Sequence, residues 1–150
     1  MESYPRRDDA AAASGLVWGI KESFLRYVAT IPDGLCELGG GTVPHSPGRF
    51  FFPRTDRDGE YAGTLTVFAY AGLLCVTVAD PQIRVADGRH ELVVGTGSGD
   101  GSHVAVANLQ SATAAGSGRL AYTATLTAEG CQWLGGNYPP GIEMDTVEVL

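Results

Sequence analysis

The side chains of this sequence best suited to bind a metal or ligand are tyrosines. The first of them in the chain with a clear structural setting is Tyr27. Phe24, Tyr27 and Val28 follow the spacing of one helix face. A free phenol has a pKa of about 10, so it ligates a hard ion such as ferric iron only when metal charge or a hydrogen-bond donor stabilises the phenolate. The alternative is an amphipathic tyrosine packed into the core with its hydroxyl satisfied.

Three more side chains are candidates for a site. Tyr70 ends a predicted strand, Tyr138 lies in the stretch GGNYPP, and His45 lies in PHSP after a triple glycine. The rigid Pro-Pro pair fits a loop that places the Tyr138 ring over a ligand, or a ring that closes the core. His45 is expected in a mobile loop, where it is either solvated or available as a ligand or acid/base group.

Several function classes are excluded by composition and motifs. The net charge of −7 argues against nucleic acid or an anionic membrane as a partner. The chain has three dispersed cysteines and no CxxC, HExxH or hydrolase-elbow motif, which excludes the common zinc, redox and hydrolase patterns. An odd number of dispersed cysteines suits a reducing compartment, and the first residues lack a signal-peptide pattern, so we expect a cytoplasmic protein.

The elements that must position these residues are mainly β-strands. Short runs rich in valine, leucine, threonine and aromatics alternate with Gly, Asp and Pro turns, and only Lys21–Thr30 has helical spacing. This pattern predicts an antiparallel β-sandwich or flattened barrel with one or two short helices. One domain is expected over residues 14–150, after a disordered lead at 1–13, with a flexible loop at Gly95–Gly101. The predicted strands are Ser14–Ile20, Arg49–Phe52, Tyr61–Tyr70, Leu73–Val78, Ile83–Ala86, Glu91–Gly95, His103–Leu109, Arg119–Thr127 and Val147–Leu150.

Three stretches resemble the HtaA domain, a haem-binding module of actinobacterial haem-uptake proteins. The first, WGIKESFLRY at 18–27, closely resembles the opening motif of that family and is the most specific of the three. The second, GTLTVFAYAG at 63–72, resembles the central strand pair, and LGGNY at 134–138 with Gly141 and Asp145 resembles the closing motif. They keep the order of the family and span nearly all of residues 14–150.

The resemblance implies a β-sandwich that holds haem against the first helix. Tyr27 matches the axial tyrosine ligand to the haem iron, Ser23 a serine near the propionates, and Tyr138 an aromatic that packs on the porphyrin. Tyr70 stands where the family has a histidine that hydrogen-bonds the ligand tyrosine. Asn137 replaces the aromatic that precedes the closing tyrosine.

Three functions follow from these observations. The first is a cytoplasmic carrier or buffer of haem b that uses Tyr27 as the metal ligand. The second is a cofactor-free cyclase or isomerase of secondary metabolism, in which the same pocket takes another apolar small molecule and uses Tyr27, Tyr70, Tyr138 and His45 as acid and base. The third is a structural domain whose pocket is filled by its own side chains. The resemblance favours the first.

Overall fold

The computed structural model describes residues 14–97, 101–113 and 120–150. The predicted disordered lead at 1–13 lies outside these residues, and so does part of the predicted loop at Gly95–Gly101. Within the described residues, no helix is long and apolar enough to span a membrane.

Antiparallel strands make up most of the described chain, as the sequence predicts. Ten strands form one sheet in the order β2-β5-β6-β7-β8-β9-β10-β1-β4-β3, accompanied by two short helices. The elements are β1 (Gly15–Trp18), α1 (Glu22–Ala29), β2 (Leu35–Gly39), β3 (Val43–Ser46), β4 (Arg49–Pro53), β5 (Thr64–Ala69), β6 (Leu74–Ala86), β7 (Arg89–Gly95), β8 (His103–Thr113), β9 (Leu120–Leu126), α2 (Ala128–Trp133) and β10 (Glu143–Val149).

The sheet curls until it is nearly closed into a barrel. The strands β2 and β3 are the two ends of the sheet order, yet only residues 40–42 separate them in the chain. Gly40 and Gly41 have φ angles of 64° and 101°, which residues with a side chain rarely adopt. This sharp connection brings the two sheet edges together at one end, so of the two predicted forms the barrel is the one observed.

Alternating side chains fill the interior of the curled sheet. In β5 the buried Leu65, Val67 and Ala69 alternate with half-buried residues, as expected for a strand with one face on the core. The helix α1 adds Phe24 and Val28 to the same core. The largest fully buried side chains are Trp18, Phe52, Leu16, Ile20, Leu65, Leu92, Leu126 and Leu134.

Two predicted strands, Leu73–Val78 and Ile83–Ala86, are one long strand in the structure. β6 continues through Asp80 and Pro81 because the register shifts there by a bulge, with Asp80 at a φ of 43°. The Asp80 carboxylate accepts the backbone N–H of Gly63 at 3.0 Å, which ties the bulge to the start of β5. The Asp-Pro pair, which is typical of a turn, therefore forms a β-bulge within one continuous strand.

The elements β2, β3 and α2 are not among those predicted. All of β2 and β3 is exposed except the half-buried Gly39, so neither strand shows the alternating pattern that marks a half-buried strand. The helix α2 has only six residues, and its start is set by Thr127, whose hydroxyl accepts the N–H of Gly130 at 2.8 Å.

Candidate functional site

The helix α1 places Tyr27 at the edge of the core. Phe24 and Val28 are buried, while Tyr27 lies on the flank of the same face with 48% of its surface exposed. The sequence predicts Tyr27 toward the interior, and the structure instead puts it at the boundary between core and solvent. Its hydroxyl is therefore available to a partner or ligand.

The N-terminus of α1 is held by a residue from the other end of the chain. Lys21 makes no side-chain cap, and the N–H of Glu22 instead donates to Oδ1 of Asp145 at 3.2 Å. Trp18 Nε1 donates to the Asp145 carbonyl at 2.9 Å, and Arg49 lies 3.7 Å from Asp145 Oδ2. Burial raises the pKa of Asp145 above its usual range, although Arg49 opposes that shift.

Asp145→Ala should lower the free energy of unfolding by about 1 to 2 kcal/mol, because it removes the acceptor for the first turn of α1 and one ion partner of Arg49. Urea denaturation measures the change. The matched control is Asp58→Ala, since Asp58 is almost fully exposed beside Arg54, and a surface pair of this kind contributes only about 0 to 1 kcal/mol. Equal losses in the two variants would contradict a role for Asp145 in anchoring the helix.

Tyr70 faces Tyr27 from a turn rather than from the predicted strand. The strand β5 ends at Ala69, and a 3-10 turn, Tyr70–Gly72, follows it. Tyr70 and Ala71 have φ angles of 56° and 55°. The two hydroxyls of Tyr27 and Tyr70 lie 2.5 Å apart, and this hydrogen bond raises the pKa of Tyr70 above its ordinary value. Tyr70 therefore stays a phenol at neutral pH.

Asp33 fixes the turn that carries Tyr70. Its carboxylate accepts the N–H of Tyr70 at 2.9 Å and the N–H of Ala71 at 2.7 Å. These two bonds, the Ala71 bond first, lower the pKa of Asp33 below its ordinary value. Asp33 is not among the site residues predicted from the sequence. Its one local signal is the turn sequence Pro32-Asp33-Gly34, which predicts a turn but not a partner 37 residues away.

The paired hydroxyls lie at the rim of an apolar cavity, which we call the tyrosine cavity. Its volume is about 490 Å³. Tyr138 packs edge-on against Phe24 with ring centroids 6.2 Å apart, so one side of the cavity is aromatic. The lining residues are Phe24, Tyr27, Tyr70, Leu73, Leu74, Gly135, Asn137 and Tyr138. Such a cavity suits a flat apolar ligand with one group that takes an oxygen ligand.

Two predicted site residues do not line the tyrosine cavity. Ser23 lies one helical turn before Tyr27 and is exposed. His45 is in the edge strand β3 rather than in the predicted mobile loop, because this segment pairs with β4, and it too is exposed and outside the lining. Of the predicted set, the structure brings together Tyr27, Tyr70 and Tyr138.

A larger cavity of 710 Å³ lies elsewhere, against β8, β9 and the start of α2. Glu91 and Glu129 line it, and its surface is more polar than that of the tyrosine cavity. Two carboxylates and a polar wall suit neither an apolar nor an anionic ligand. The smaller tyrosine cavity is therefore the better candidate site.

Comparison with known proteins decides the family. The sequence profile of HtaA matches residues 13–150. The chain belongs to the HtaA family. The three stretches that resemble HtaA in sequence all meet at the tyrosine cavity, since they supply Tyr27, Tyr70 and Tyr138. The closing stretch also supplies Asp145, which anchors the helix that carries Tyr27.

Solved structures of HtaA domains share the fold. The C-terminal domain of HtaA from Corynebacterium glutamicum superposes with a TM-score of 0.72 at 21% identity, over 91% of this chain and 94% of that domain. The N-terminal domain of the same protein gives 0.67 at 22%, over 92% and 95%. The heme binding protein HtaB from the same organism gives 0.66 at 15%, over 91% and 92%. No curated protein sequence matches this chain significantly.

Proposed function

We propose that this HtaA-family protein binds haem in the tyrosine cavity, with Tyr27 as the ligand to ferric iron and Tyr70 as the hydrogen-bond partner of that ligand. The observation that carries the proposal is the pair of hydroxyls 2.5 Å apart at the rim of an apolar cavity. HtaB, which is described as a heme binding protein, has a similar fold and supports the same ligand class.

The residues of the tyrosine cavity fit a haem. Its volume of about 490 Å³ lies within the range of roughly 300 to 1,000 Å³ that is usual for small-molecule sites. Phe24, Leu74 and Tyr138 offer apolar and aromatic surface to a porphyrin. The hydroxyl of Tyr27 is the oxygen donor closest in kind to the tyrosine ligands of known haem proteins.

Tyr70 suits the role of donor to a phenolate. A bound ferric iron would supply the positive charge that stabilises Tyr27 as an anion. A phenol has an ordinary pKa of about 10, so Tyr70 keeps its proton at neutral pH, and the hydrogen bond to Tyr27 raises that pKa further. Its O–H can therefore donate to the Tyr27 oxygen. With iron bound, the Tyr27 proton would leave to solvent, and the pair would hold one proton between its two oxygens, on the oxygen of Tyr70.

The assignments of Tyr138 and Ser23 follow the resemblance, whereas the cytoplasmic location is proposed from the cysteine content. Tyr138 packs on one face of the porphyrin, and Ser23, on the turn before Tyr27, lies toward the propionates. The bound form is haem b, and the protein acts as a cytoplasmic carrier or buffer. Cys36, Cys75 and Cys131 are all free thiols, which supports a reducing compartment.

An enzyme that uses the tyrosines as acid and base is the less supported function. Such an enzyme needs a base at neutral pH, and the raised pKa of Tyr70 works against that role. His45, the imidazole offered for that chemistry, lies outside the cavity lining.

Titration with haemin and with metal-free protoporphyrin tests the proposal. We expect saturable 1:1 binding of haemin and weaker binding of the metal-free ring, because only haemin gains the bond between Tyr27 and iron. The absence of saturable haemin binding would overturn the function. Equal affinities for the two rings would overturn Tyr27 as ligand.

A further inference from the structure

We infer that Asp33 is a positioning residue for the tyrosine pair: by holding the backbone of Tyr70 and Ala71 it sets the hydroxyl of Tyr70 against that of Tyr27. This inference rests on the proposed function where it concerns haemin affinity. Its geometric part concerns the protein alone and is tested without ligand.

The turn that carries Tyr70 has a backbone that needs outside support. Tyr70 and Ala71 are consecutive non-glycine residues at φ angles near 55°, and residues with a side chain rarely adopt that region twice in a row. The Asp33 carboxylate accepts a hydrogen bond from the N–H of Tyr70 at 2.9 Å and another from the N–H of Ala71 at 2.7 Å. One carboxylate with two oxygens is matched to two adjacent N–H donors, as in an anion-binding nest.

Tyr27 and Asp33 belong to one continuous, internally bonded segment. The carbonyl of Tyr27 accepts two hydrogen bonds from Thr30, one from the backbone N–H at 3.0 Å and one from the side-chain hydroxyl at 2.6 Å. Ile31 is buried and its carbonyl accepts the N–H of Gly34 at 2.9 Å. The segment therefore contacts Tyr70 twice, through the Tyr27 hydroxyl and through the Asp33 carboxylate.

These two contacts define the relative placement of the phenols. Tyr70 is 47% exposed, so packing alone does not restrict its position. Without Asp33, the turn is free to relax toward common φ values, and the Tyr70 side chain turns away with it. Asp33 does not line the tyrosine cavity, so its effect on binding has to pass through the Tyr70 hydroxyl.

A double-mutant cycle on haemin affinity tests this route. Asp33→Ala should weaken haemin binding about tenfold in the wild-type background and less than about twofold in the Tyr70→Phe background, because the hydroxyl that Asp33 positions is then absent. Asp33→Asn should recover part of the loss, since its carbonyl still accepts one N–H. Equal losses in both backgrounds would overturn the inference, because a purely structural role acts in both.

Amide hydrogen exchange tests the geometry in the protein without ligand. In Asp33→Ala the amides of Tyr70 and Ala71 should exchange at least about tenfold faster, while the Leu126 amide, which is bonded to Ile142 elsewhere in the sheet, stays unchanged. Unchanged exchange at Tyr70 and Ala71 would overturn the inference. If the wild type fails to bind haemin, the proposed function fails while this measurement still decides the role of Asp33.

Discussion

Tyr27→Phe should lower the affinity for haemin by about a hundredfold or more. The variant keeps the aromatic ring and removes the only atom through which this residue can ligate iron, and changes to partners of metal ligands alone cost about ten- to a hundredfold. The fold should be nearly unaffected, because Tyr27 is half exposed and its hydroxyl contacts only that of Tyr70 in the described structure. Equilibrium titration measures the affinity, and urea denaturation the stability.

The matched control is Tyr122→Phe. Tyr122 is buried against His90 and lies outside the tyrosine cavity, so the loss of its hydroxyl should leave haemin binding unchanged. If Tyr27→Phe binds haemin as tightly as the wild type and shows the same ferric spectrum, the iron ligand is a different residue, and Tyr70 becomes the next candidate.

Changes at Tyr70 should have the second largest effect, with opposite signs for two substitutions. In the proposed haem complex, Tyr70→Phe removes the hydroxyl that would donate to the Tyr27 oxygen. A hydrogen bond to a charged group contributes roughly 1.5 to 3 kcal/mol, so haemin affinity should fall about ten- to a hundredfold. Tyr70→His should instead bind haemin more tightly than the wild type, because imidazole is the stronger partner of a phenolate and histidine tolerates the φ of 56° better than tyrosine.

Both Tyr70 variants are measured by the same haemin titration. Equal affinity of Tyr70→Phe and wild type would show that the short hydrogen bond does not support the ligand. An affinity of Tyr70→His no higher than that of the wild type would contradict the idea that a stronger partner at this position strengthens the pair.

The sequence predicts the parts of the site that follow local rules. The spacing of Phe24, Tyr27 and Val28 predicts a helix over Lys21–Thr30, and the structure confirms it as α1 over Glu22–Ala29. The mainly β antiparallel fold is also confirmed, because alternation of apolar and polar residues is strong in the strands that line the core.

The parts that the sequence does not predict depend on contacts between distant residues. The bond from the Glu22 N–H to Asp145 spans 123 residues, and the bonds from Tyr70 and Ala71 to Asp33 join a loop to a turn. No periodicity encodes such bonds, since they depend on how the curled sheet brings segments together. The left-handed turn at Tyr70 cannot be predicted from the sequence for the same reason. Its backbone is stabilised by Asp33, and no glycine at position 70 marks it.

The edge strands β2 and β3 were not predicted for a different reason. β3 carries His45 in a short, fully exposed strand rather than in a loop, and its pairing with β4 depends on backbone hydrogen bonds that leave no pattern of side chains. A histidine near glycines in the sequence thus does not predict a place in the tyrosine cavity, whereas each of the three HtaA-like stretches contributes a tyrosine to its lining.

The most direct test of the central claim is the absorption spectrum of the purified protein before and after one equivalent of haemin is added. Ligation of ferric haem by Tyr27 in the tyrosine cavity predicts a Soret band and a high-spin ferric charge-transfer band that saturate at one haemin per chain. A spectrum equal to the sum of protein and free haemin would contradict the claim.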